Sequence, residues 1–436
     1  IAYIWITEGT YDKEYVATHT VGFDKFEDYV MGREDGIPKT PEWASSKCSV
    51  PEWTIKALAR EFAARTTSIA HYFGGSYVRG PFSHEPARLE VILLGMQGLG
   101  KAGVHQAQLT YTGMPRAEGL KSTRFFNPAL SERLTTPVRT TIAAWGTQLI
   151  PKTLIHKVIP HTPITFMGAG AIEGTTEDQF VKYSYPIPEK EGGTAIHMMW
   201  TDTPCRTTCW NGGNETIAAL RNPQIECVVA QHPWLENDCL FSDIVLPTNT
   251  TLEVEDIVTN VRQGVQFQSV ALQRPAIKPV GESKSDFEAV CEVAKKLGMY
   301  ERITEGKTVE DLEKSVFDNM ELQNYISWED FKEKEYYVFP TAKDWEKDPA
   351  GFIKFYEDPE ANPLPTPSGK LEFYSERLAR YFPDDDERPP VPHWIEKSDM
   401  HDERISSERA KKYPLLLMSN HGRWRVHAQC DDISWT

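Results

Sequence analysis

Three short apolar runs, each followed at once by polar residues, constrain the fold of this chain more than any other feature of its sequence. They read AIHMMW at 195–200, IECVVAQ at 225–231 and SDIVLP at 242–247. Apolar runs of this length, separated by helical or irregular crossovers, are typical of buried parallel strands. We therefore predict an α/β fold with a doubly wound, mostly parallel sheet. Its binding crevice should lie at the polar loops that follow the strands.

A second unit of the same kind is predicted nearer the start of the chain. The stretch SIAHYFGG at 68–75 reads as a strand closed by a glycine turn, and HEPARLEVILLGMQGLGKAG at 84–103 reads as a helix that ends at glycines. Residues 1–70 are predicted to be largely helical from the spacing of their apolar positions. A strand, a glycine turn and a helix in this order form one βα unit of a nucleotide-binding type of sheet.

The remaining segments are less regular. Residues 106–190 are rich in proline and glycine and predict loops, with one helix near 138–150. Residues 280–298 predict an amphipathic helix capped by Ser285. An acidic, aromatic stretch then surrounds a strand at 369–374. The expected domains are 1–130 (α/β), 131–194 (loop-rich connection), 195–300 (second α/β), 301–410 (irregular and acidic) and 411–436 (the start of a new unit).

Charge and composition exclude several classes of function. The formal net charge is −16, which argues against a nucleic-acid surface because phosphate binding needs clustered Lys and Arg. No apolar run approaches the eighteen or so residues of a membrane span. The chain begins inside an apolar run without Met and ends without a tail, so we expect it to be an internal piece of a longer protein.

Polar residues at the ends of the predicted strands are the first candidates for ligand binding. Carboxylates can accept hydrogen bonds from a guanine edge or from ribose hydroxyls, and helix starts and cationic side chains can bind phosphates. The alternative is that Asp and Asn after strands only cap the next helix. The candidates for cofactor binding in this region are Asp202, Thr203, Gln231, His232, Trp234 and Asp238.

A second group of candidates lies close to the end of the chain. The run YPLLLMS predicts a buried strand, and it opens directly onto SNHGRWRVHAQ at 419–429. So many hydrogen-bonding side chains, with a local positive charge in an acidic chain, predict a site for a heterocycle and its phosphates. The candidates here are Ser419, Asn420, His421, Arg423, His427 and Gln429.

No metal site is predicted from the residues of this segment. Seven scattered cysteines form neither a disulfide framework nor a CxxC pair, and we interpret Cys205 and Cys209 as loop thiols. His421 and His427 could be ligands in principle, but the arginines between them would place positive charge against a metal ion. The phosphate-loop, GxSxG and HExxH motifs do not occur in the sequence.

Three longer stretches resemble one known family, the molybdopterin oxidoreductases of the dimethyl sulfoxide reductase family. ECVVAQHPWLENDCLFSDIVLPTNTTLEVED at 226–256 resembles a family segment that ends in A-D-[IV]-V-L-P followed by a Glu. LPTPSGKLEFYSERLA at 364–379 is similar to its T-P-S-G-K-[IL]-E-[FL]-Y-S element, and SNHGRWRVHAQ to its S-P-H-P-R-[FY]-R-x-H-S-Q segment. The resemblance covers most of 1–125 and 195–436.

The resemblance implies a fold and a cofactor. Members hold molybdenum or tungsten between two pyranopterin guanosine dinucleotides, with one dinucleotide on each of two α/β domains and a final β-barrel closing over both. Residues 411–436 would begin that barrel. The metal ligand and any cysteines for a [4Fe-4S] cluster would lie upstream of Ile1. The resemblance also implies an iron–sulfur electron-transfer subunit as partner, a small-molecule substrate, anaerobic metabolism and a cytoplasmic location.

The implied function is that of a catalytic subunit performing redox or hydroxyl-transfer chemistry. Within the family the residues are most similar to the transhydroxylase branch, which acts on polyhydroxylated aromatic compounds. That likeness implies a substrate pocket near Tyr77, Arg79 and His84, with Tyr111 beside the position of a substrate-site tyrosine. Two alternatives stay open: a respiratory reductase or dehydrogenase for N-oxides, S-oxides or inorganic substrates, and a cofactor-free scaffold relative.

Overall fold

A computed structural model of the chain describes part of its residues and divides into two compact units. The first unit comprises described residues within Ile1–Pro115 and Ala342–Leu417, and the second those within Arg116–Val261 and Phe267–Thr341. The described residues are 1–71, 81–108, 118, 150, 152–160, 163–168, 181–191, 193–202, 205–210, 212–259, 269–347, 351–398, 401, 402, 404, 406–415 and 417.

The described helices are numbered in chain order. They are α1 (Ala2–Glu8), α2 (Lys13–His19), α3 (Phe23–Val30), α4 (Pro41–Cys48), α5 (Glu52–Ala64), α6 (His84–Met96), α7 (Ile155–Val158), α8 (Arg206–Cys209), α9 (Gly213–Leu220), α10 (Asp286–Lys296), α11 (Tyr300–Thr304), α12 (Val309–Asn319), α13 (Trp328–Lys334), α14 (Ile353–Glu357), α15 (Glu376–Tyr381) and α16 (Glu408–Lys412). Short 3₁₀ turns occur at Lys152–Leu154, Glu189–Glu191, Asn237–Phe241, Leu322–Asn324 and Trp345–Lys347.

The described strands form five small sheets. They are β1 (Thr20–Val21), β2 (Ile69–His71), β3 (Gln106–Gln108), β4 (Ile164–Gly168), β5 (Val181–Tyr185), β6 (Met198–Thr201), β7 (Cys227–His232), β8 (Ile244–Pro247), β9 (Asp256–Thr259), β10 (Ser269–Gln273), β11 (Tyr336–Val338) and β12 (Leu371–Glu372). The pairs β1–β12, β2–β3, β6–β7 and β7–β8 are parallel, whereas β4–β5 and β9–β10–β11 are antiparallel.

The first unit buries one apolar core under its helices. Apolar side chains spaced along α1, α3 and α6 meet there, and Trp5 is fully buried with its indole N–H donating to the Ala59 carbonyl, 2.7 Å away. The β2–α6–β3 order and the parallel β2–β3 pairing confirm the βα unit predicted at 68–103. The predicted strand at 369–374 is confirmed as β12, which pairs with β1.

The second unit contains the parallel sheet that the three apolar runs predict. Its strand order is β6–β7–β8, with α8 and α9 between the first two strands and a 3₁₀ turn between the last two. The central strand β7 is buried along nearly its whole length, which is why its sequence is a continuous apolar run rather than an alternating one. The predicted cap of α10 is also confirmed, because Ser285 and Glu288 form a reciprocal capping box.

Two antiparallel arrangements were not part of the sequence prediction. The hairpin β4–β5 lies within the stretch interpreted as loop-rich. The sheet β9–β10–β11 packs through Ile257 and Leu272 against a core that includes Phe317 and Phe331 from α12 and α13. Both were missed because polar residues interrupt or flank their apolar positions, as in VKYSY of β5 and DIVT of β9, so they do not form the longer apolar runs that mark the parallel sheet.

The fold therefore has mixed α/β content with parallel sheets, as predicted at that level. The predicted domain boundaries at 130, 194, 300 and 410 stay predictions. The helix predicted near 138–150 lies outside the described residues, and so does most of the segment predicted to begin a β-barrel, since 416 and 418–436 are not described.

Candidate functional site

The carboxyl ends of β6, β7 and β8 open onto a cavity of about 800 Å³ within the second unit. Because the three strands are parallel, their carboxyl ends share one edge of the sheet, where ligands of such sheets bind. The helix α10 and the residues after it form the apolar side of the cavity. Its lining consists of Trp200, Asp202, Gln231, Pro233, Thr248, Asn249, Asp286, Val290, Val293, Ala294, Leu297, Met299 and Ile303.

Gln231 joins two walls of this cavity. Its side-chain oxygen accepts a hydrogen bond from the indole N–H of Trp200 at 2.9 Å, and its amide nitrogen donates to Oδ1 of Asp286 at 2.5 Å. Gln231 itself is only 5% exposed, whereas Trp200 is 39% exposed. One buried amide thus holds both an accessible aromatic ring and a carboxylate in place.

The charge of the lining favours a neutral, hydrogen-bond-donating ligand over a phosphate. Asp202 and Asp286 are both exposed carboxylates, and no Lys, Arg or His stands among the described residues that line the cavity. A carboxylate is an acceptor only, so the two groups suit N–H and O–H donors. The cavity is therefore suited to a heterocyclic base or a sugar.

Two buried acceptor atoms near the strand ends add to this pattern. Within the described part of the chain, Oδ1 of Asn249, a cavity-lining residue, has no hydrogen-bond partner, and neither has the hydroxyl of Thr201 at the end of β6. Leaving a buried polar atom unpaired costs roughly 1–3 kcal/mol. A bound ligand with N–H or O–H groups would satisfy such atoms.

Asp238 holds the loop at 205–210, which contains the short helix α8 and precedes α9. Its carboxylate accepts from the backbone N–H of Arg206 at 3.0 Å and from the N–H and hydroxyl of Thr207 at 2.9 and 2.7 Å. The residue is 1% exposed. The loop also lies close to α9, since a Cβ on Gly213 would stand 2.3 Å from the Thr207 carbonyl oxygen. These contacts cap α8, an earlier helix rather than the next one along the chain, and direct ligand contact by Asp238 stays a prediction.

His232 and Trp234 lie on the loop after β7. His232 is buried and its Nε2 donates to Oε1 of Glu236 at 3.1 Å, so the imidazole is engaged within the protein. Trp234 is partly buried, and its carbonyl accepts from the thiol of Cys239 at 3.6 Å. Neither is among the described residues that line the cavity, whereas Asp202 and Gln231 are. A cofactor-binding role for all four stays a prediction.

The first unit holds the one described candidate for the substrate pocket. His84 begins α6, and its Nε2 donates to the Glu387 carbonyl oxygen at 2.5 Å, with Oε1 of Glu85 at 3.4 Å. The buried Glu85 carboxylate accepts from Arg88 at 2.6 Å and from the backbone N–H of His393 at 2.7 Å. His84 is thus tied to a carbonyl, and its contact with substrate stays a prediction.

Several predicted residues lie outside the described part of the chain. They are Tyr77, Arg79, Tyr111, Thr203, Ser419, Asn420, His421, Arg423, His427 and Gln429. Their roles stay predictions.

No metal centre occurs in the part of the chain that the structure describes. No group of three or more His, Cys, Asp or Glu side chains there could hold a metal ion. Cys205 precedes the short helix α8 and Cys209 is its last residue. Cys239 is buried, which raises the pKa of its thiol. Among the helices of the described residues, none is long and apolar enough to cross a membrane.

Sequence reasoning missed three residues of this site. Trp200, Asn249 and Asp286 line the cavity, but none was singled out, because Trp200 reads as a strand end and Asp286 as the first turn of a helix. The only available signal was position, since Trp200 ends one predicted strand and Asn249 lies two residues after the end of another. Asp286 is 55 residues from Gln231 and is brought to it only by the fold.

Comparison with known proteins places the chain in a family. Residues 165–296, which contain the parallel sheet, match the model of the molybdopterin oxidoreductases. Among curated proteins, the chain is 31% identical to the pyrogallol hydroxytransferase large subunit of Pelobacter acidigallici, over 99% of this chain and 54% of that protein. It is 28% identical to trimethylamine-N-oxide reductase of Haemophilus influenzae, over 98% of this chain and 49% of that protein.

A solved structure shares the fold. Acetylene hydratase from Pelobacter acetylenicus superposes with a TM-score of 0.52 at 18% identity, covering 95% of this chain and 51% of that one. The chain spans about half the length of the relatives it matches. Its homologues thus include a hydroxytransferase large subunit and N-oxide reductases, and the chain contains a molybdopterin oxidoreductase domain of the dimethyl sulfoxide reductase family.

Proposed function

We propose that this chain is part of the catalytic subunit of a molybdenum- or tungsten-pterin enzyme, and that the cavity at the sheet edge holds the guanosine end of a pyranopterin guanosine dinucleotide. The observation that carries the proposal is the position of the cavity, at the carboxyl ends of the parallel strands in the segment that matches the family model. When bound, the metal–pterin group supplies the redox or hydroxyl-transfer chemistry, and the protein supplies binding and orientation.

The residues present fit a guanine base better than an adenine base. Guanine offers adjacent N1–H and N2–H₂ donors that one carboxylate can accept together, whereas adenine offers a single amino group beside an acceptor nitrogen. Asp202 and Asp286 supply such carboxylates, and the unpaired Oδ1 of Asn249 supplies a further acceptor. Trp200 offers an exposed ring for stacking. These four residues would hold the base and its ribose.

A titration of the purified chain with guanosine diphosphate (GDP) and adenosine diphosphate (ADP) tests this proposal. We expect GDP to bind more tightly than ADP, and Asp202→Asn or Asp286→Asn to weaken GDP binding by about tenfold, the effect of losing one charged hydrogen bond. Asp318→Asn is the matched control, because Asp318 lies on α12 in a surface ion pair with Lys314. Equal affinity for the two nucleotides, or no binding of either, would contradict the proposal.

For the reaction, we propose hydroxyl transfer or redox chemistry on a polyhydroxylated aromatic compound. Support comes from the 31% identity to a pyrogallol hydroxytransferase large subunit along nearly the whole of this chain. That relative is a large subunit, which also supports a partner subunit for this protein, and an iron–sulfur electron-transfer protein is our candidate. Reduction of N- or S-oxides is the second candidate, favoured by 28–29% identity to the corresponding reductases. Assaying the protein isolated from its natural host with pyrogallol and with trimethylamine N-oxide separates the two.

The finer features of the assembly belong to the same proposal. We propose that residues 411–436 begin a β-barrel that closes over the cofactor, that a [4Fe-4S] cluster is carried upstream or by the partner, and that the enzyme works in an anaerobic cytoplasm. Similarity of 419–429 to the family's last-domain segment supports the barrel. Cell fractionation and iron analysis of the native protein test the location and the cluster.

A further inference from the structure

The side chain of Gln231 can adopt only one orientation in this site. The indole N–H of Trp200 is only a donor, so it must face the amide oxygen, and the carboxylate of Asp286 is only an acceptor, so it must face the amide nitrogen. The two contacts therefore require the same orientation of the Gln231 amide. Because Gln231 is 5% exposed, water competes poorly for either contact.

We infer that Gln231 is a positioning residue for the base-binding cavity: it holds the Trp200 ring and the Asp286 carboxylate in place for a planar ligand with N–H donors. The inference rests on the proposed function of the cavity and adds how its selectivity arises. Two of the groups that would recognise the base come from elements far apart in sequence, β6 and α10. The buried amide of β7 is the group that contacts both.

The bridge has a physical consequence for selectivity. Trp200 is 39% exposed, so its ring can rotate unless the indole N–H is held. Asp286 occupies the first turn of α10 at an exposed position, and its carboxylate is likewise free to take other rotamers without the amide. Loss of the bridge therefore releases both groups at once. It should weaken the binding of GDP more than that of ADP, because guanine is the base that donates to the Asp286 carboxylate.

The variants Gln231→Leu, Trp200→Phe and their combination separate positioning from simple packing. Leucine keeps an apolar side chain of similar size but makes neither hydrogen bond. Phenylalanine keeps an aromatic ring without the N–H that Gln231 accepts. The matched control is Gln273→Leu, because Gln273 lies in the same unit, donates to the Thr251 and Val254 carbonyls at 2.7 and 3.2 Å, and does not line the cavity.

Binding of GDP and ADP to these variants of the chain gives the first readout. We expect Gln231→Leu to weaken GDP binding about tenfold and ADP binding less, with Gln273→Leu close to wild type. In the Trp200→Phe background, the loss caused by Gln231→Leu should shrink, since part of its action runs through the indole N–H. Equal losses for both nucleotides, or equal losses in both backgrounds, would overturn the inference.

A second readout needs no ligand. Hydrogen exchange of the Trp200 indole N–H, identified in ¹⁵N-tryptophan spectra by its loss in Trp200→Phe, should become faster in Gln231→Leu and stay unchanged in Gln273→Leu. Unchanged exchange in Gln231→Leu would overturn the inference even if GDP binds. If wild type binds no GDP while exchange accelerates as expected, the proposed cavity function fails and the positioning of Trp200 by Gln231 stands.

Discussion

Replacing Asp238 with alanine should destabilise the second unit more than it affects any ligand. The carboxylate accepts three hydrogen bonds from Arg206 and Thr207 at 2.7–3.0 Å and is almost fully buried. A hydrogen bond to a charged group contributes roughly 1.5–3 kcal/mol, so the three bonds together bound the loss from above at several kcal/mol. Since the donors are only partly buried, water can reach some of them. We therefore expect a loss of about 3 kcal/mol in the free energy of unfolding.

Asparagine at the same position makes the expectation sharper. Asp238→Asn keeps one oxygen that can accept from Thr207, but it turns an amide NH₂ toward the Arg206 N–H. Its free energy of unfolding should therefore lie between those of wild type and Asp238→Ala. Urea unfolding gives the free energies, and hydrogen exchange of peptides covering 205–210 localises the effect. Asp318→Ala should change the free energy of unfolding by less than about 0.5 kcal/mol, because surface ion pairs contribute little.

Two results would refute this reasoning. If Asp238→Ala unfolds like wild type, the three hydrogen bonds do not stabilise the loop. If Asp238→Asn keeps wild-type exchange in the loop but weakens GDP binding tenfold or more, the carboxylate contacts the ligand directly. The second outcome would support the sequence-based assignment of Asp238 to cofactor binding over its observed role in the loop.

Two further variants test the surrounding scaffold. Ser285→Ala removes the capping box with Glu288, and we expect a loss of about 1 kcal/mol in the free energy of unfolding, measured in urea. An unchanged free energy of unfolding would show that the cap does not stabilise α10. Burial, with the neighbouring Glu255 and Asp256 carboxylates, raises the pKa of Glu313 from 4.5 to about 7. The native state then holds a proton that the unfolded state loses, so stability should fall as pH rises from 4.5 to 7, and Glu313→Gln should flatten that fall in thermal unfolding measured across this range.

The sheet at the site could be predicted from sequence because its strands are encoded locally. A strand buried on both faces needs a continuous apolar run, and β7 has one in VVA followed by Gln231 at the point where the chain leaves the core. The cap of α10 was equally predictable, since Ser285 and Glu288 stand at capping-box spacing. Both features depend on residues within a few positions of one another.

The contacts that make the cavity selective could not be predicted in the same way. Gln231 meets Trp200 across 31 residues and Asp286 across 55, and neither separation carries a local signal. For Asp238 a local pattern exists but is ambiguous, because its position after a strand fits both a ligand contact and a loop contact. Only the positions of Arg206 and Thr207 in the fold distinguish the two. The resemblance of 226–256 to a known family supplied the cofactor class that these local patterns leave open.

The most direct test of the whole account is the composition of the protein isolated without chelators from its natural host. If the chain is part of a metal–pterin catalytic subunit, elemental analysis should find molybdenum or tungsten, and mild acid hydrolysis should release guanosine monophosphate together with a fluorescent oxidised pterin. Release of pterin without any nucleotide would contradict the guanosine form of the cofactor. Protein that carries neither metal nor pterin, yet is folded and intact, would contradict the central claim.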